Sequence, residues 1–401
     1  MAGAGWRRRL AISTVAAAGA TIAAPVLRGV IGERLSARTE RRLNRVTDAA
    51  GGGEVSPAAR DLHERLTVVD LHADTLLWGR DLLVRADRGH VDVPRMVAGR
   101  LALQVFAATT HVPRHLNYDR NDDRSDDIRL VALVQGWPRA TWRSRTARAE
   151  HLAWRLRDAA ERSTGGLSIV RSAADLERFL DKRASDPVLV AGMLAIEGAH
   201  ALDGDLANLE RLDRAGYRMV GLAHFFDNAF AGSAHGVGAG GLTGLGRELV
   251  VELERRRILV DVAHASPATI DDVLALAVRP VVASHTGVRG VADHGRNLSD
   301  DHLRAIAATG GVVGIGFWPT ASGGDGVEWI ARSIAHAVAI AGADHVALGS
   351  DFDGAVSVPF DASELARLTA ALLGHGLDEA TIAAVMGGSA LRLLRGALPS
   401  A

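Results

Sequence analysis

The sequence predicts a (β/α)8 barrel, and three observations predict it. Eight short apolar runs of strand-forming residues recur along the chain, at 68–72, 101–107, 188–196, 217–223, 258–263, 280–284, 310–317 and 345–349. Helix-period segments separate most of them, which calls for parallel strands joined by crossovers. Six of the runs end in side chains of metal-binding type, and all six are C-terminal ends, where such barrels carry their chemistry. An open doubly wound sheet would also alternate strand and helix, but a count of eight favours closure.

Composition limits what the barrel could do. The chain has 401 residues, 48% hydrophobic and 23% charged, enough for one large domain or two medium ones with a real core. It contains no cysteine, which excludes disulfides, thiolate zinc sites, iron–sulfur clusters and cysteine nucleophiles. Any metal must therefore be held by His and carboxylate. The formal charge of −1 hides an asymmetry: residues 1–46 hold nine arginines against two glutamates, a net +7, so the remainder carries −8. Within that tail residues 10–27 form an uncharged run, close to the roughly 20 residues a membrane span needs, though rich in alanine and holding Pro25 near its end. The expectation for residues 1–46 is a membrane anchor or a cleaved signal peptide. A basic tail beside such a run points to lipid headgroups and not to nucleic acid, since no basic and aromatic interleaving continues into the body.

Taken in order, the first run ends in His72 and Asp74, two apart, so strand geometry aims both side chains the same way as a pair able to grip one ion. The second run leads into a polar insertion at 109–165. Its Asp119, Asn121 and Asp123 suggest a calcium loop, but Arg124 stands where glycine is required and Leu130 where the bidentate Glu belongs, so the segment reads as a solvated loop followed by a helix-like stretch at 147–163. The third run ends in Glu197-Gly198-Ala199-His200, and a carboxylate after so apolar a strand is costly without a cation. The fourth leads to His224. Gly236, Gly238 and Gly241 then satisfy G-x-G-x-x-G with Asp261 following, but a dinucleotide site needs its strand to run straight into the first glycine, and a dozen residues intervene. The fifth run ends in Asp261 and His264, the sixth in Ser284 and His285, the eighth in Ser350, Asp351 and Asp353. Helical segments at 245–257, 267–278, 299–309 and 328–341 lie between these runs, several opened by Ser, Pro or Asp.

Each polar residue taken alone has a structural reading. A single His at a strand end is more often a satisfied core residue, Asp74 and Asp353 suit helix caps, and Arg296 suits an ion pair with Asp300 or Asp301. Together they resist that reading, because three or four histidines and three carboxylates on one rim repel or desolvate one another unless they share a positive charge. Zn2+ is the usual occupant where imidazole dominates. Five candidates, His72, Asp74, Glu197, His264 and His285, are too many for one tetrahedral ion with an open position. Two ions bridged by one carboxylate would use them all; Glu197, central in strand order, is the natural bridge, and a hydroxide between the ions would be the nucleophile at neutral pH.

The segments "DLHADTLLW", "HVDVPRMVAGRLALQVFA", "IEGAHALDGDLANLERLDRAGYRMVGLAHFFDN", "GRELVVELERRRILVDVAHAS", "PVVASHTG", "GRNLSD" and "HVALGSDFDG" together resemble the membrane dipeptidase (renal dipeptidase) family of zinc metallopeptidases, in the amidohydrolase-like barrel group, over residues 57–396. The resemblance implies that His72 and Asp74 bind a first zinc, His264 and His285 a second, and that Glu197 bridges them. It implies further that His224 holds the developing oxyanion of the substrate, that Arg296 takes the substrate carboxylate, and that Asp351 moves the proton to the leaving amine. Ala73, Ala199 and Ser389 depart from the family pattern, and none is a ligand. The implied substrate is a dipeptide, with a cyclic amide or other nonpeptide substrate as the alternative; a homodimer is compatible, though not a disulfide-linked one. Members are usually exported, so a membrane-associated enzyme with its catalytic domain outside the cytoplasm is expected, although six arginines after the apolar run against three before it argue for the opposite orientation. Substrate range is left open, since 109–165 should shape the pocket and carries no readable motif.

Overall fold

A computed structural model describes residue 32 and residues 34–47 and 55–401. The 10–27 stretch read above as an anchor or signal lies outside the described residues, and no described helix is long and apolar enough to cross a membrane.

Eight parallel strands form a closed barrel: β1 Val68–Ala73, β2 Leu101–Thr109, β3 Val190–Glu197, β4 Tyr217–Gly221, β5 Leu259–Asp261, β6 Val281–Thr286, β7 Val312–Ile315 and β8 Val346–Leu348. Each pairs with its neighbour in sequence, and β8 returns to β1 with Leu348 opposite Asp70, which closes the ring. These are the eight runs of the sequence. They are near-continuous in apolar residues because a parallel barrel strand is buried on both faces. One buried cluster draws Val69, Leu103, Met193, Met219, Leu259, Val282, Val312 and Ala347 from the eight strands in turn and fills the barrel. A larger one joins strand residues such as Val220 and Val260 to Leu249, Leu253 and Ile270 of the surrounding helices. Each such side chain contributes about 1.5–3 kcal/mol of burial.

The predicted helices form where their caps allow. Gly244–Arg255, Pro267–Leu276 and Asp300–Ala308 are opened by Thr243, Ser266 and Ser299, each side chain accepting an amide proton three residues on. Val327–Ala341 follows β7. In the insertion the helix-like stretch is Arg145–Arg162, capped by Ser144. A further helix there, Asp127–Val134 capped by Asp126, was not legible, being only eight residues long and apolar on more than one side.

Residues 34–43 also form a helix, and it packs on the barrel. Its Glu40 is fully buried between the guanidinium groups of Arg80 and Arg88, and Arg45–Val46 pairs in parallel with Ser357–Val358. Part of the basic tail therefore belongs to the barrel body. One of its charges serves that docking too, Arg41 pairing with Asp87.

Candidate active site

The strand ends deliver their side chains to one point, the carboxylate of Glu197. Its Oε1 lies 3.4 Å from His72 Nε2, 3.4 Å from His264 Nε2 and 3.5 Å from His285 Nε2, while Oε2 lies 3.4 Å from His224 Nε2. Asp74 Oδ2 is 3.6 Å from His72 Nε2. Five strands thus contribute, and every one of these side chains is buried. The turns that aim them are strained. His264, Asp351 and Asp353 have φ of +60°, +61° and +64°, a left-handed backbone that costs a residue with a Cβ about 1–2 kcal/mol. At Gly198 φ is +90°, and a Cβ there would strike the ring of His200 at 2.4 Å, so the turn that presents Glu197 needs glycine.

A set of polar residues to which the sequence assigned no role in the site, Thr109 and Asp70 together with the strand-end residues Asp261, Ser284 and Ser350, fixes these groups from behind. The hydroxyl of Thr109 lies 2.5 Å from Asp74 Oδ1 and 2.7 Å from Glu197 Oε2. The hydroxyl has one proton, so it donates to one of the two carboxylates at a time. Ser284 donates to Asp261 Oδ2 at 2.6 Å, which leaves its oxygen to accept from Nδ1–H of His285 at 2.9 Å. That tautomer leaves Nε2 of His285 with a free lone pair facing Glu197. Asp261 also takes the amides of Ala263 and Ser284, and Asp70 holds the amide and hydroxyl of Ser350, so two buried aspartates clamp the ends of β5, β6 and β8. The signal available for Thr109 was its hydroxyl at the C-terminal end of β2, after the apolar run at 105–108.

Electrostatics sort the groups by role. Burial works against a charged Glu197, but the surrounding imidazoles outweigh it and hold the carboxyl well below its usual range. Burial pushes the imidazoles of His264 and His285 well below theirs, and that of His224 down as well, which keeps them neutral and able to donate lone pairs. His72 goes the other way: burial opposes its charge, yet Glu197 and Asp74 raise it well above the ordinary value. Burial and then the neighbouring Glu197 raise Asp74. Asp351 is held well above the carboxylate range, first by burial, with Asp74 and Glu197 adding to it.

The remaining predicted residues are placed as follows. Asp351 shares a trio with His72 and Asp74 whose ligand atoms lie within 4.8 Å of one another. Arg296 is 3% exposed, donates through Nη2 to the carbonyl of His285 at 2.7 Å, has no partner for Nε, and holds its guanidinium 5.7 Å from the Trp318 ring. It makes no ion pair with Asp300 or Asp301, which pair with His336 and Arg304. Nor does Asp353 cap a helix: its carboxylate takes Arg80, the hydroxyl of Thr75 and the amide of His90. His200 lies buried against Phe226 with neither ring nitrogen bonded. Above Glu197 opens a cavity of about 480 Å³, lined among others by Asp74, His224, His264 and Asp351 and walled by Trp78, Tyr118 and Trp318. The insertion, expected to shape the pocket, lines it too, at Val112, Leu116, Ile128 and Val131.

The donor set fits divalent metal. His72, Glu197 and His285 form one trio of convergent ligand atoms and Glu197, His224 and His264 another, with Glu197 common to both and Nε2 of His72 buried without a hydrogen-bond partner. A closed (β/α)8 barrel with such a cluster at its C-terminal face defines a metal-dependent hydrolase of the amidohydrolase-like kind. The model of the membrane dipeptidase family, peptidase family M19, matches residues 57–398, and the chain belongs to that family of metallopeptidases. It is 33% identical over 242 residues to the dipeptidase verJ of Clonostachys rogersoniana, a stretch that is 58% of this chain and 61% of that protein. Among solved structures it is similar to the metallopeptidase dipeptidase AC of family M19, at 30% identity and a TM-score of 0.67 over 84% of this chain and 99% of that one. It is similar as well to a metallopeptidase from Rhodobacter sphaeroides liganded with a phosphinate mimic of the dipeptide L-Ala-D-Ala, at 29% identity and a TM-score of 0.66 over 83% and 99% of the two chains.

Proposed function

We propose that the protein hydrolyses dipeptides with two zinc ions bridged by Glu197. The observation that carries this reading is the convergence of four imidazoles on the two oxygens of that one carboxylate. His72 and Asp74 would hold one ion and His264 and His285 the other. When bound, the zinc pair supplies a hydroxide nucleophile at neutral pH and a Lewis acid for the substrate carbonyl. The chain's own residues do the rest. His224, on the far oxygen of Glu197 and facing the cavity, donates to the carbonyl oxygen as negative charge develops there. Asp351, whose buried surroundings raise its affinity for a proton, would start as the carboxylate, take the proton released by the attacking water and then, as the carboxylic acid, give that proton to the leaving amine nitrogen. Arg296 takes the substrate's terminal carboxylate, its planar fork matching the two oxygens and its Nε left without a partner inside the protein. The dipeptide mimic held by the Rhodobacter sphaeroides relative supports a substrate of this size. No observation favours the cyclic amide alternative.

The test is hydrolysis of a dipeptide, its C-terminal amide and the tripeptide extended by one residue. A carboxylate clamp at a fixed distance from the scissile amide predicts cleavage of the dipeptide alone, and Arg296→Leu should lose several kcal/mol of transition-state binding, on the order of 2–5. Equal kcat/KM for the dipeptide and its amide would overturn the clamp and return the reading to a nonpeptide substrate.

A further inference from the structure

The cavity over Glu197 has a wall that the family-matched segment does not supply. Thr39 and Leu43 line it, and both lie in the helix of residues 34–43, ahead of residue 57, where the match to the family begins. Trp78 from the turn after β1 and Leu116, Ile128 and Val131 from the insertion after β2 complete that side.

The helix is fastened there by polar contacts that a loosely attached tail would lack. Glu40, fully buried, sits between Arg80 and Arg88; Arg80 continues to Asp353, two residues from Asp351. Asn44 accepts the amide of Ala355 at 2.8 Å, and Gln135 of the insertion donates to Ser36 at 3.2 Å. A buried carboxylate stays charged only while such partners stay, so the position of Leu43 is coupled to the loop that carries Asp351.

We propose that residues 34–47 are a specificity element of the enzyme: with Trp78 and the insertion they form an apolar subsite for the side chain of the substrate's amino-terminal residue. This rests on the dipeptidase reading. Which residue of the substrate it serves follows from the ring of strands. Arg296 follows β6, and β2, whose insertion builds this subsite, is the strand diametrically across the barrel. A dipeptide with its carboxylate at Arg296 and its amide over Glu197 lays its first side chain on the β1–β2 side, against Leu43. On that side Leu43, Trp78, Leu116, Ile128 and Val131 outnumber the polar Thr39 and Asp127, so the wall selects Leu, Ile or Phe over Ala.

The experiment compares kcat/KM for Leu-Ala and Ala-Ala with the zinc-loaded full chain. The ratio cancels the fraction of active enzyme, so a variant that folds poorly still reports its selectivity. The unaltered protein should favour Leu-Ala by about tenfold or more. Leu43→Trp, which fills the subsite, should bring the ratio near one, and the milder Leu43→Ala should lower it several-fold by removing the contact. A preference for Leu-Ala that neither variant changes, or no preference in the unaltered enzyme, would overturn the subsite alone. Absence of dipeptide hydrolysis by the unaltered enzyme would overturn the dipeptidase reading and this inference with it.

Discussion

The Nε2 atoms of His264 and His285 stand 2.9 Å apart, each within 3.5 Å of the same carboxylate oxygen of Glu197. Two nitrogens bound to one tetrahedral zinc at about 2.0–2.1 Å would be separated by roughly 3.3 Å, so the two rings already stand close to the spacing of common ligands. Residues 21 apart in sequence reach that spacing because the register that sets Val260 opposite Val281 and Asp261 opposite Val282 has the same offset of 21, and His264 and His285 each follow that last pair by three residues.

The orientation of His285 should depend on Ser284. Replacing Ser284 with Ala removes the acceptor for Nδ1–H and frees the tautomer, so affinity for zinc should fall about 10–100-fold by competition against a chelator. Affinity equal to that of the unaltered protein would mean that Ser284 does not set the ring.

Asp351→Asn keeps the shape of the side chain and removes its proton transfer. The expected outcome is a loss of about 10²–10⁴ in kcat with metal content retained. A kcat within a few-fold of the original would assign the proton transfer to another group.

The parts legible in the sequence are those set by local pattern. Strands buried on both faces have no choice but continuous apolar runs, and side chains at their C-terminal ends meet because a barrel makes them meet. What was not legible depends on partners distant in the chain. Asp353, taken alone, suited a helix cap, yet Arg80, Thr75 and His90 claim its carboxylate from more than 260 residues away. Glu40 counted only as one of two acidic charges in the basic tail, because nothing near it in sequence announces Arg80. Asp261 and Ser284 were placed at the strand ends but given no part in the site, since a residue's hold on a neighbour's ring tautomer leaves no mark on spacing.

Stability should fall in mild acid partly through His90. Burial pushes its imidazole down to about 4 from the ordinary 6.5, and its Nδ1 accepts the amide of Asp353. The folded value lies below the unfolded one, so the unfolded chain binds the proton first. The contribution is therefore complete above about pH 6.5 and is lost as pH falls toward 4, by about 3 kcal/mol. Denaturant unfolding at pH 7 and pH 4.5 should show a smaller difference for His90→Gln than for the unaltered chain; equal differences would remove His90 from the account.

Membrane attachment through residues 10–27, with the barrel outside the cytoplasm, is proposed on the uncharged run and the export common in this family. Fractionation should recover the protein with membranes, and protease added to intact cells should digest the body. Full protection would reverse the orientation, and recovery in the soluble fraction would remove the anchor.

The most direct test of the central claim is zinc content, measured on purified full-length protein and on Glu197→Ala. A carboxylate shared by two ions predicts two zincs per chain in the first and, in the second, joint loss of both metals and of dipeptide hydrolysis, because four imidazoles and Asp74 would be left without the group they surround. A Glu197→Ala protein that keeps two tightly bound zincs would contradict the bridge.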